Sequence, residues 1–260
     1  MKEIILQFIR FRTLWAYRFN DWRNVPIKEC GENLVPLPIH QKYPFYAKEM
    51  GLTQDERVFL REEVYDRYLV ARDFVARRGY DLVVYDGWRS LDVQKNLFWI
   101  YLKEFTVERF HLQEKFSKTK TPREIQECFN SLPEDTQEVL REANRTFVSW
   151  PSDHLEKPSP HFTGGSVDVW LHRDGHPVNM GVPFDFMEIE AGAFWHLKFF
   201  KPKTNIKITR EVAERRTLLV YAMWSAGFSC YPPEFWHYNY GNQMDAMVKG
   251  CFAKYGPIAP

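Results

Sequence analysis

Two short stretches of the sequence contain residue types that bind transition metals. In the first, His161 and Asp168 stand seven positions apart, separated by a Gly-Gly pair. In the second, His237 follows Glu234 by three positions. Two imidazoles, one carboxylate and an open fourth position describe a catalytic zinc site rather than a structural one. We therefore predict a metal site formed by His161, Asp168 and His237, with Glu234 able to hold a water against the metal.

Asp168 belongs to a run, residues 166–171, that has β-strand character. The period of two in a strand puts Asp168 on the face opposite Val167 and Val169. A carboxylate within such an apolar strand is costly to bury unless a cation or strong donors meet it. The run therefore predicts a strand that presents Asp168 to a metal.

Glu234 needs a local bend to reach the same point. In a regular strand, side chains three positions apart point to opposite faces, so Glu234 and His237 would diverge. Pro232 and Pro233 come immediately before Glu234, and proline is uncommon inside a sheet. We expect Glu234 to lie on a loop that enters a strand, where a bend can turn its carboxylate back towards His237.

Taken one at a time, these residues have ordinary structural explanations. His161 alone would be a turn histidine, and Glu234 alone a surface acid before a strand. The combination of His161, Asp168 and His237 favours metal binding over those explanations. The other histidines have no partner at a telling spacing, and we expect them to be structural: His40, His111, His154, His172, His176 and His196.

Composition narrows the functional class. The 260 residues include 35 Lys and Arg against 34 Asp and Glu, so no global field attracts nucleic acid or a membrane surface, and we expect neither partner. The four cysteines form no CxxC pair, which argues against a thiolate zinc cage or a disulfide framework.

The apolar N-terminal stretch is interrupted by Gln7 and Arg10 and does not resemble a secretory signal. We expect a cytoplasmic protein, or a periplasmic one if an export signal was removed.

The elements that must position the site can be predicted in outline. Residues 1–50 are rich in proline and aromatic residues, which indicates an irregular wrap with one or two short strands. A helix is expected after Gly51, with Thr53 and Glu56 as its capping box. A strand is expected at residues 80–85.

A second group of elements follows that strand. Ser90 is a credible N-cap for a helix from about Leu91, and Thr209 for another from about Arg210 to Ala226. Residues 103–150 are charged and helix-prone, which predicts a helical insertion. The whole pattern indicates one α+β domain over residues 1–260, with a central antiparallel sheet flanked by helices.

Three motifs together resemble the zinc D-alanyl-D-alanine dipeptidases, the VanX-like branch of peptidase family M15. They are Ser159-x-His161-x-x-Gly164-x-x-x-Asp168, the downstream Glu234-x-Trp236-His237, and the upstream Asp86-Gly87-Trp88-Arg89-Ser90. Their order matches the family, and they span well over half of the chain. The resemblance implies the α+β fold shared by hedgehog-type and D,D-peptidase domains.

The same resemblance implies a role for each site residue. His161, Asp168 and His237 would bind one zinc ion per chain, with Glu234 as the general base. Arg89 would lie over the scissile carbonyl of a small dipeptide, and Ser159 and Asp185 would hold the substrate's ammonium group. The sequence departs from the family pattern at Asn179, where an acidic residue is usual, and at Val167, where a small residue is usual.

Three functions remain open at this stage. The first is hydrolysis of D-alanyl-D-alanine or a related short D-dipeptide, serving either wall recycling or protection from an antibiotic. The second is a D,D- or L,D-carboxypeptidase that acts on longer muropeptides. The third is a catalytically inactive, zinc-containing module that binds peptidoglycan fragments. The presence of both Glu234 and Arg89 speaks against the third.

Overall fold

A five-stranded antiparallel sheet forms the centre of the protein. The computed structural model describes residues 2–144, 148, 150–152, 154–197 and 208–259. The strands of the sheet are β3 (Asp81–Asp86), β4 (Ser166–Arg173), β5 (His176–Pro177), β6 (Ser229–Tyr231) and β7 (Glu234–Asn239). Their order is β3-β4-β7-β6, with β5 paired to the far end of β4. A separate two-stranded sheet consists of β1 (Leu34–Pro36) and β2 (Phe59–Arg61).

Helices surround the sheet and confirm the predicted α+β class. In the described residues they are α1 (Lys2–Phe19), α2 (Phe45–Lys48), α3 (Glu62–Ala76), α4 (Leu91–Tyr101), α5 (Val107–Arg109), α6 (Gln113–Phe116), α7 (Pro122–Asn130), α8 (Glu134–Asn144), α9 (Arg210–Ser225) and α10 (Gln243–Lys249). A π-helical turn, Leu102–Thr106, joins α4 to α5. Across the described part of the chain, no helix has both the length and the apolarity needed to cross a membrane.

The N-terminal region differs from the irregular wrap that we predicted, because α1 occupies most of its first twenty residues. Leu6, Ile9, Thr13 and Ala16 recur at three- and four-residue steps and are buried, which is the pattern of an amphipathic helix. Apolar residues also occupy the opposite face of α1, and they hide this period in the sequence. The predicted short strand does occur, as β1.

The helix expected after Gly51 begins later than predicted, at Glu62. Thr53 accepts a hydrogen bond from the Asp55 amide at 3.0 Å and shapes a local turn, so it does not cap a helix. Residues 59–61 instead form β2 and pair with β1. The predicted apolar face of the helix is otherwise present, because Val64, Tyr68, Ala71 and Val75 are buried.

The two capped helices agree with their predictions. The Ser90 side chain accepts a hydrogen bond from the Val93 amide at the start of α4. The Thr209 side chain accepts one from the Val212 amide at the start of α9.

The predicted helical segment at 103–150 lies partly within the described residues, where α5 to α8 are found. Residues 145–147 and 149 lie outside the described residues. The assignment of the whole chain to a single domain stays a prediction.

Two register shifts in the central sheet determine where polar side chains point. Between β3 and β4, Val84 pairs with Val169 and Asp86 with Asp168, which leaves Tyr85 as an extra residue. Between β6 and β7, the register shifts just before Tyr231 pairs with Glu234. Such irregularities bend a strand and redirect side chains. They bring Asp86 opposite Asp168 and turn Glu234 towards His237.

The turn that follows β3 lies directly against β2. The Trp88 amide donates a hydrogen bond to the Phe59 carbonyl oxygen at 2.7 Å. A Cβ atom at Gly87 would lie 2.4 Å from that same oxygen, so only glycine fits there without a backbone shift. This contact fixes the position of the Gly87 carbonyl oxygen, which lies 2.7 Å from His161 Nδ1.

Candidate metal centre and active site

The three predicted metal ligands come together in the folded chain. One ligand atom from each of His161, Asp168 and His237 lies within 4.8 Å of the others, and all three residues are buried. His161 begins a 3₁₀ turn just before β4. Asp168 in β4 and His237 in β7 are directly opposite each other in the ladder. Two of the three ligands are therefore held on adjacent strands of a rigid sheet.

The distances between ligand atoms suit a tetrahedral ion. His237 Nδ1 lies 3.0 Å from Asp168 Oδ1, and His161 Nε2 lies 3.5 Å from Asp168 Oδ2. The same two imidazole nitrogens are 3.1 Å apart. Ligand atoms about 2 Å from a tetrahedral zinc lie about 3.3 Å from one another. The two imidazole nitrogens and the Asp168 carboxylate thus lie close to the separations that a bound metal ion requires.

The outer nitrogens of both imidazoles have acceptors that fix the tautomers. His161 Nδ1 lies 2.7 Å from the Gly87 carbonyl oxygen, and His237 Nε2 lies 3.2 Å from Asn239 Oδ1. When the outer N–H groups donate to these acceptors, His161 Nε2 and His237 Nδ1 are unprotonated and their lone pairs face the centre. Asp168 Oδ1 is then buried without a hydrogen-bond donor. A carboxylate oxygen in that position is stabilised by a positive charge, which a protonated His237 or a metal ion can supply.

The protonation states of two ligands suit metal binding. Burial lowers the pKa of His161 to about 3, so its imidazole is neutral. Burial alone would raise the pKa of Asp168, but His161 and His237 outweigh it and the pKa lies below its usual value. Burial lowers the pKa of His237, but the carboxylates of Asp168 and Glu234 and the hydrogen bonds to Asp168 and Asn239 together outweigh it, so the pKa lies above its usual value. A cation beside Asp168 would replace that proton.

Glu234 lies next to the metal ligands, as predicted. One of its carboxylate oxygens, Oε2, is 3.8 Å from His237 Nδ1. Glu234 is the first residue of β7, so the expectation that it stands where a loop enters a strand agrees with the structure. Burial raises the pKa of Glu234 to about 8. A carboxyl group with a pKa near neutrality can both accept and return a proton.

Arg89 presents a fixed positive charge on the other side of the centre. Its Nε donates to Asp86 Oδ2 at 2.9 Å, and its terminal nitrogens donate to Gln94 Oε1 at 2.8 Å and to the Tyr46 hydroxyl at 3.1 Å. One terminal nitrogen is 3.8 Å from Asp168 Oδ2. Because these acceptors hold the guanidinium in one orientation, it needs no reorganisation to meet a developing negative charge.

Asp185 lines the small cavity that also contains Arg89 and the three predicted metal ligands, whereas Ser159 does not. Asp185 has a left-handed backbone with φ of 61° and accepts a hydrogen bond from the Tyr101 hydroxyl. Burial raises its pKa to about 6. Ser159 is buried, and its hydroxyl oxygen accepts from the Ser152 amide at 3.0 Å, which ties a loop closed. The substrate-binding role of Ser159 stays a prediction.

Two cavities meet at Glu234. The smaller one has a volume of about 80 Å³, and its lining includes the three ligands, Arg89 and Asp185. The larger one has a volume of about 510 Å³ and is lined in part by Arg10, Arg109 and Trp195. Glu234 and Met187 line both cavities. The site therefore has a small inner compartment with a larger space beside it.

Sequence reasoning missed several residues that shape the inner cavity. Tyr46, Gln94 and Tyr101 approach Arg89 or Asp185 from helices α2 and α4, and no motif singles them out. Asn239 has a weak sequence signal, since it stands two positions after a candidate ligand in a strand and so shares its face. The family departures do not affect the ligands. Val167 points to the opposite face of β4, and Asn179 accepts from the Gly181 amide at 2.7 Å in a local turn.

Three buried side chains that could hold a metal ion, an adjacent carboxylic acid and a fixed guanidinium are groups that metal-dependent hydrolases use. A family model described as D-ala-D-ala dipeptidase matches residues 102–255, which is more than half of the chain. The chain belongs to this family, peptidase M15, and it is a hydrolase of the metallopeptidase class. The predicted family and enzyme class are therefore confirmed.

Two further proteins are similar to the chain. It is 26% identical over 232 residues to a D-alanyl-D-alanine dipeptidase of Synechocystis sp. (strain ATCC 27184 / PCC 6803 / Kazusa), with 85% of this chain and 86% of that protein covered. A solved structure of a mutant vancomycin resistance D,D-pentapeptidase VanY from a VanB-type cassette, in complex with Zn(II), is also similar. Its TM-score is 0.41 with 12% identity, and the match covers 90% of this chain and 97% of that one.

The contact between His237 and Asn239 gives a test of the metal centre. Replacing Asn239→Leu removes the acceptor that orients His237, and we expect zinc affinity to fall by about 10- to 100-fold. Asn239→Asp keeps the acceptor and should retain most of the affinity. Competition with a chromophoric chelator measures both.

Ser166→Ala is the matched control for these variants. The Ser166 hydroxyl donates to the same Asn239 oxygen at 2.8 Å without touching His237, so its loss should affect stability and not zinc affinity. Unchanged zinc affinity in Asn239→Leu would show that Asn239 does not orient the ligand.

Proposed function

We propose that the protein is a zinc-dependent dipeptidase that hydrolyses D-alanyl-D-alanine or a related short D-dipeptide. His161, Asp168 and His237 would hold one zinc ion per chain, consistent with the distances among their ligand atoms. The observation that carries the proposal is the convergence of this ligand set with Glu234 and Asp185 on one small cavity. That cavity therefore contains both the groups that hydrolysis requires and a carboxylate, Asp185, that can bind the ammonium group of the substrate.

The reaction requires a proton to move from water to the leaving amine. Zinc, when bound, supplies a Lewis acid that polarises the peptide carbonyl and activates water. Glu234 accepts the proton of the attacking water and returns it to the departing nitrogen. The raised pKa of Glu234, about 8, suits both halves of this transfer near neutral pH.

Arg89 stabilises the negative charge that forms on the carbonyl oxygen. The contacts from Asp86, Gln94 and Tyr46 hold its guanidinium in place before the substrate arrives. Preorganised donors of this kind act strongly in a water-poor site. Arg89 therefore serves as the oxyanion donor, beside the general base Glu234.

Asp185 selects substrates with a free amino terminus. An ammonium group provides a counter-charge for this partly buried carboxylate, whereas an acylated amine would cover the carboxylate and leave it unpaired. The inner cavity of about 80 Å³ also favours a very small substrate. Charge and size together point to a dipeptide.

The larger cavity supports a second candidate, a carboxypeptidase that acts on longer muropeptides. Its 510 Å³ volume shares Glu234 and Met187 with the inner compartment, so a longer chain could extend into it from the scissile bond. The Asp185 anchor favours the dipeptidase because an extended peptide has no ammonium group at that position.

Substrate hydrolysis separates these candidates. We expect the purified protein to release D-alanine from free D-alanyl-D-alanine, to lose this activity with a chelator and to recover it with zinc. The N-acetylated dipeptide should be cleaved at least 100-fold more slowly, because Asp185 then lacks a partner. Rapid cleavage of the acetylated compound would favour the carboxypeptidase, and bound zinc without turnover would favour a binding module.

The base assignment predicts a defined kinetic effect. Glu234→Gln should lower kcat by about 10²- to 10⁴-fold while zinc content stays unchanged, because Glu234 is not one of the ligands. Glu134→Gln, at the exposed start of α8, is the control and should leave kcat unaltered. Wild-type kcat in Glu234→Gln would exclude this residue as the base.

The Asp185 anchor predicts a pH dependence. Because burial raises the pKa of Asp185 to about 6, the carboxylate becomes protonated as the pH falls through that value and loses its attraction for the ammonium group. Protonation of the base Glu234, with a pKa of about 8, already lowers kcat/KM as the pH falls, and we expect Asp185 to add a further tenfold loss per pH unit below about 6. The Asp185→Asn variant should have a low kcat/KM that does not show this loss below about pH 6. If the loss persists in that variant, another group causes it.

A further inference from the structure

Helix α1 exposes a continuous row of large apolar side chains to solvent. We call this row the α1 stripe. Its members are Ile4, Phe8, Phe11, Trp15 and Phe19, which are exposed by 75%, 55%, 70%, 55% and 67%. They recur at three- and four-residue steps, so they lie along one side of the helix within an arc of about 80°. Contiguous exposed patches of this kind mark interaction surfaces.

The α1 stripe is not the face by which α1 joins the protein. The buried residues Leu6, Ile9, Thr13 and Ala16 lie on the far side of the helix and pack towards α9 and α10. Arg12 Nε also donates to the Val248 carbonyl oxygen of α10 at 3.1 Å. Because α1 is held by its opposite face, the fold presents the stripe outwards.

Positive charge borders the stripe on both sides. Arg12 and Arg18 are exposed and stand about 60° to either side of its centre on the helical wheel. Residues 4–20 contain three arginines and no acidic residue, although the whole chain carries a formal net charge of only +1. We expected no membrane partner because the net charge of the whole chain is close to zero. That value conceals a local excess of positive charge along α1.

We propose that the α1 stripe binds the surface of a bilayer that contains anionic lipids. The helix would lie in the plane of the interface, with its aromatic side chains at the boundary of the acyl chains. Arg18, and the terminal nitrogens of Arg12, whose Nε is bonded to Val248, would reach the phosphate groups from either side. Apolar and aromatic residues on one side of a helix, with basic residues at the margins, are the signature of such helices. The arginines oppose passage through the hydrocarbon core.

The charge distribution favours lipid over a second copy of the chain. In a two-fold contact, the same patch of each copy meets itself. Two α1 stripes would then bring Arg12 and Arg18 of both copies together with no acidic residue between residues 4 and 20 to balance them. An anionic lipid surface supplies negative charge for both arginines, whereas the acidic residue of α1, Glu3, lies at the start of the helix.

Vesicle flotation with the full chain tests the proposal. The probes are vesicles of phosphatidylcholine alone and of phosphatidylcholine with phosphatidylglycerol at a ratio of about 3:1. We expect binding to the anionic vesicles, little binding to the neutral ones, and weaker binding as salt increases. Phe11→Ala with Trp15→Ala should lower the partition coefficient at least tenfold. Arg12→Gln with Arg18→Gln should lower it on the order of twentyfold.

The test also requires a control variant, a check of folding and a measurement of oligomeric state. Ile39→Ala with Leu155→Ala removes two other exposed apolar side chains, at 81% and 77% exposure, and should leave binding unchanged. Urea unfolding should show that the α1 variants remain folded. No binding to either vesicle, or equal binding by wild type and both α1 variants, would overturn the proposal. Light scattering that finds a dimer dispersed by Phe11→Ala with Trp15→Ala would assign the stripe to a second copy instead.

Discussion

The central physical constraint on this protein is the burial of excess negative charge. Four carboxyl groups, those of Asp86, Asp168, Asp185 and Glu234, lie around the guanidinium of Arg89 in a buried to partly buried region. Burial raises the pKa of Glu234 to about 8, of Asp86 to about 7 and of Asp185 to about 6. Three more positive charges would balance this set if all four carboxyl groups were ionised. The proposed zinc ion and the substrate ammonium are suited to supply them.

The central sheet holds these mutually repelling groups at fixed positions. Asp168 lies in β4, with Asp86 opposite it on β3 and His237 opposite it on β7. The extra residue Tyr85 and the register shift before Glu234 redirect side chains that a regular ladder would send to the wrong face. A strand pair with ideal geometry could not bring all of them to one cavity. The irregular places in the sheet are therefore the ones that build the site.

The sequence was most informative where chemistry restricts the choice of residue. His161, Asp168 and His237 could be proposed as ligands because few residue types bind zinc and their motifs are short. Helices α4 and α9 could be placed because Ser90 and Thr209 make local caps that depend on few other residues.

Other features depend on tertiary context that no local pattern records. The start of α3 was misplaced because residues 59–61 pair with β1, a contact between distant segments. Helix α1 was missed because apolar residues on both of its faces mask the helical period. Tyr46 and Tyr101 approach the site through packing alone, so only the folded chain reveals their contacts.

The origin of the site in separate strands has a consequence for folding kinetics. The segment with Asp86 and Arg89 is separated from β4 by helices α4 to α8, and His237 comes from a strand later still. The cavity is complete only after β4 has paired with both β3 and β7, and closing such long loops is slow. Metal would then bind to the assembled sheet rather than to an early intermediate, and its binding free energy would add to the stability of the finished fold. A metal-sensitive signal would consequently report the last long-range step of folding.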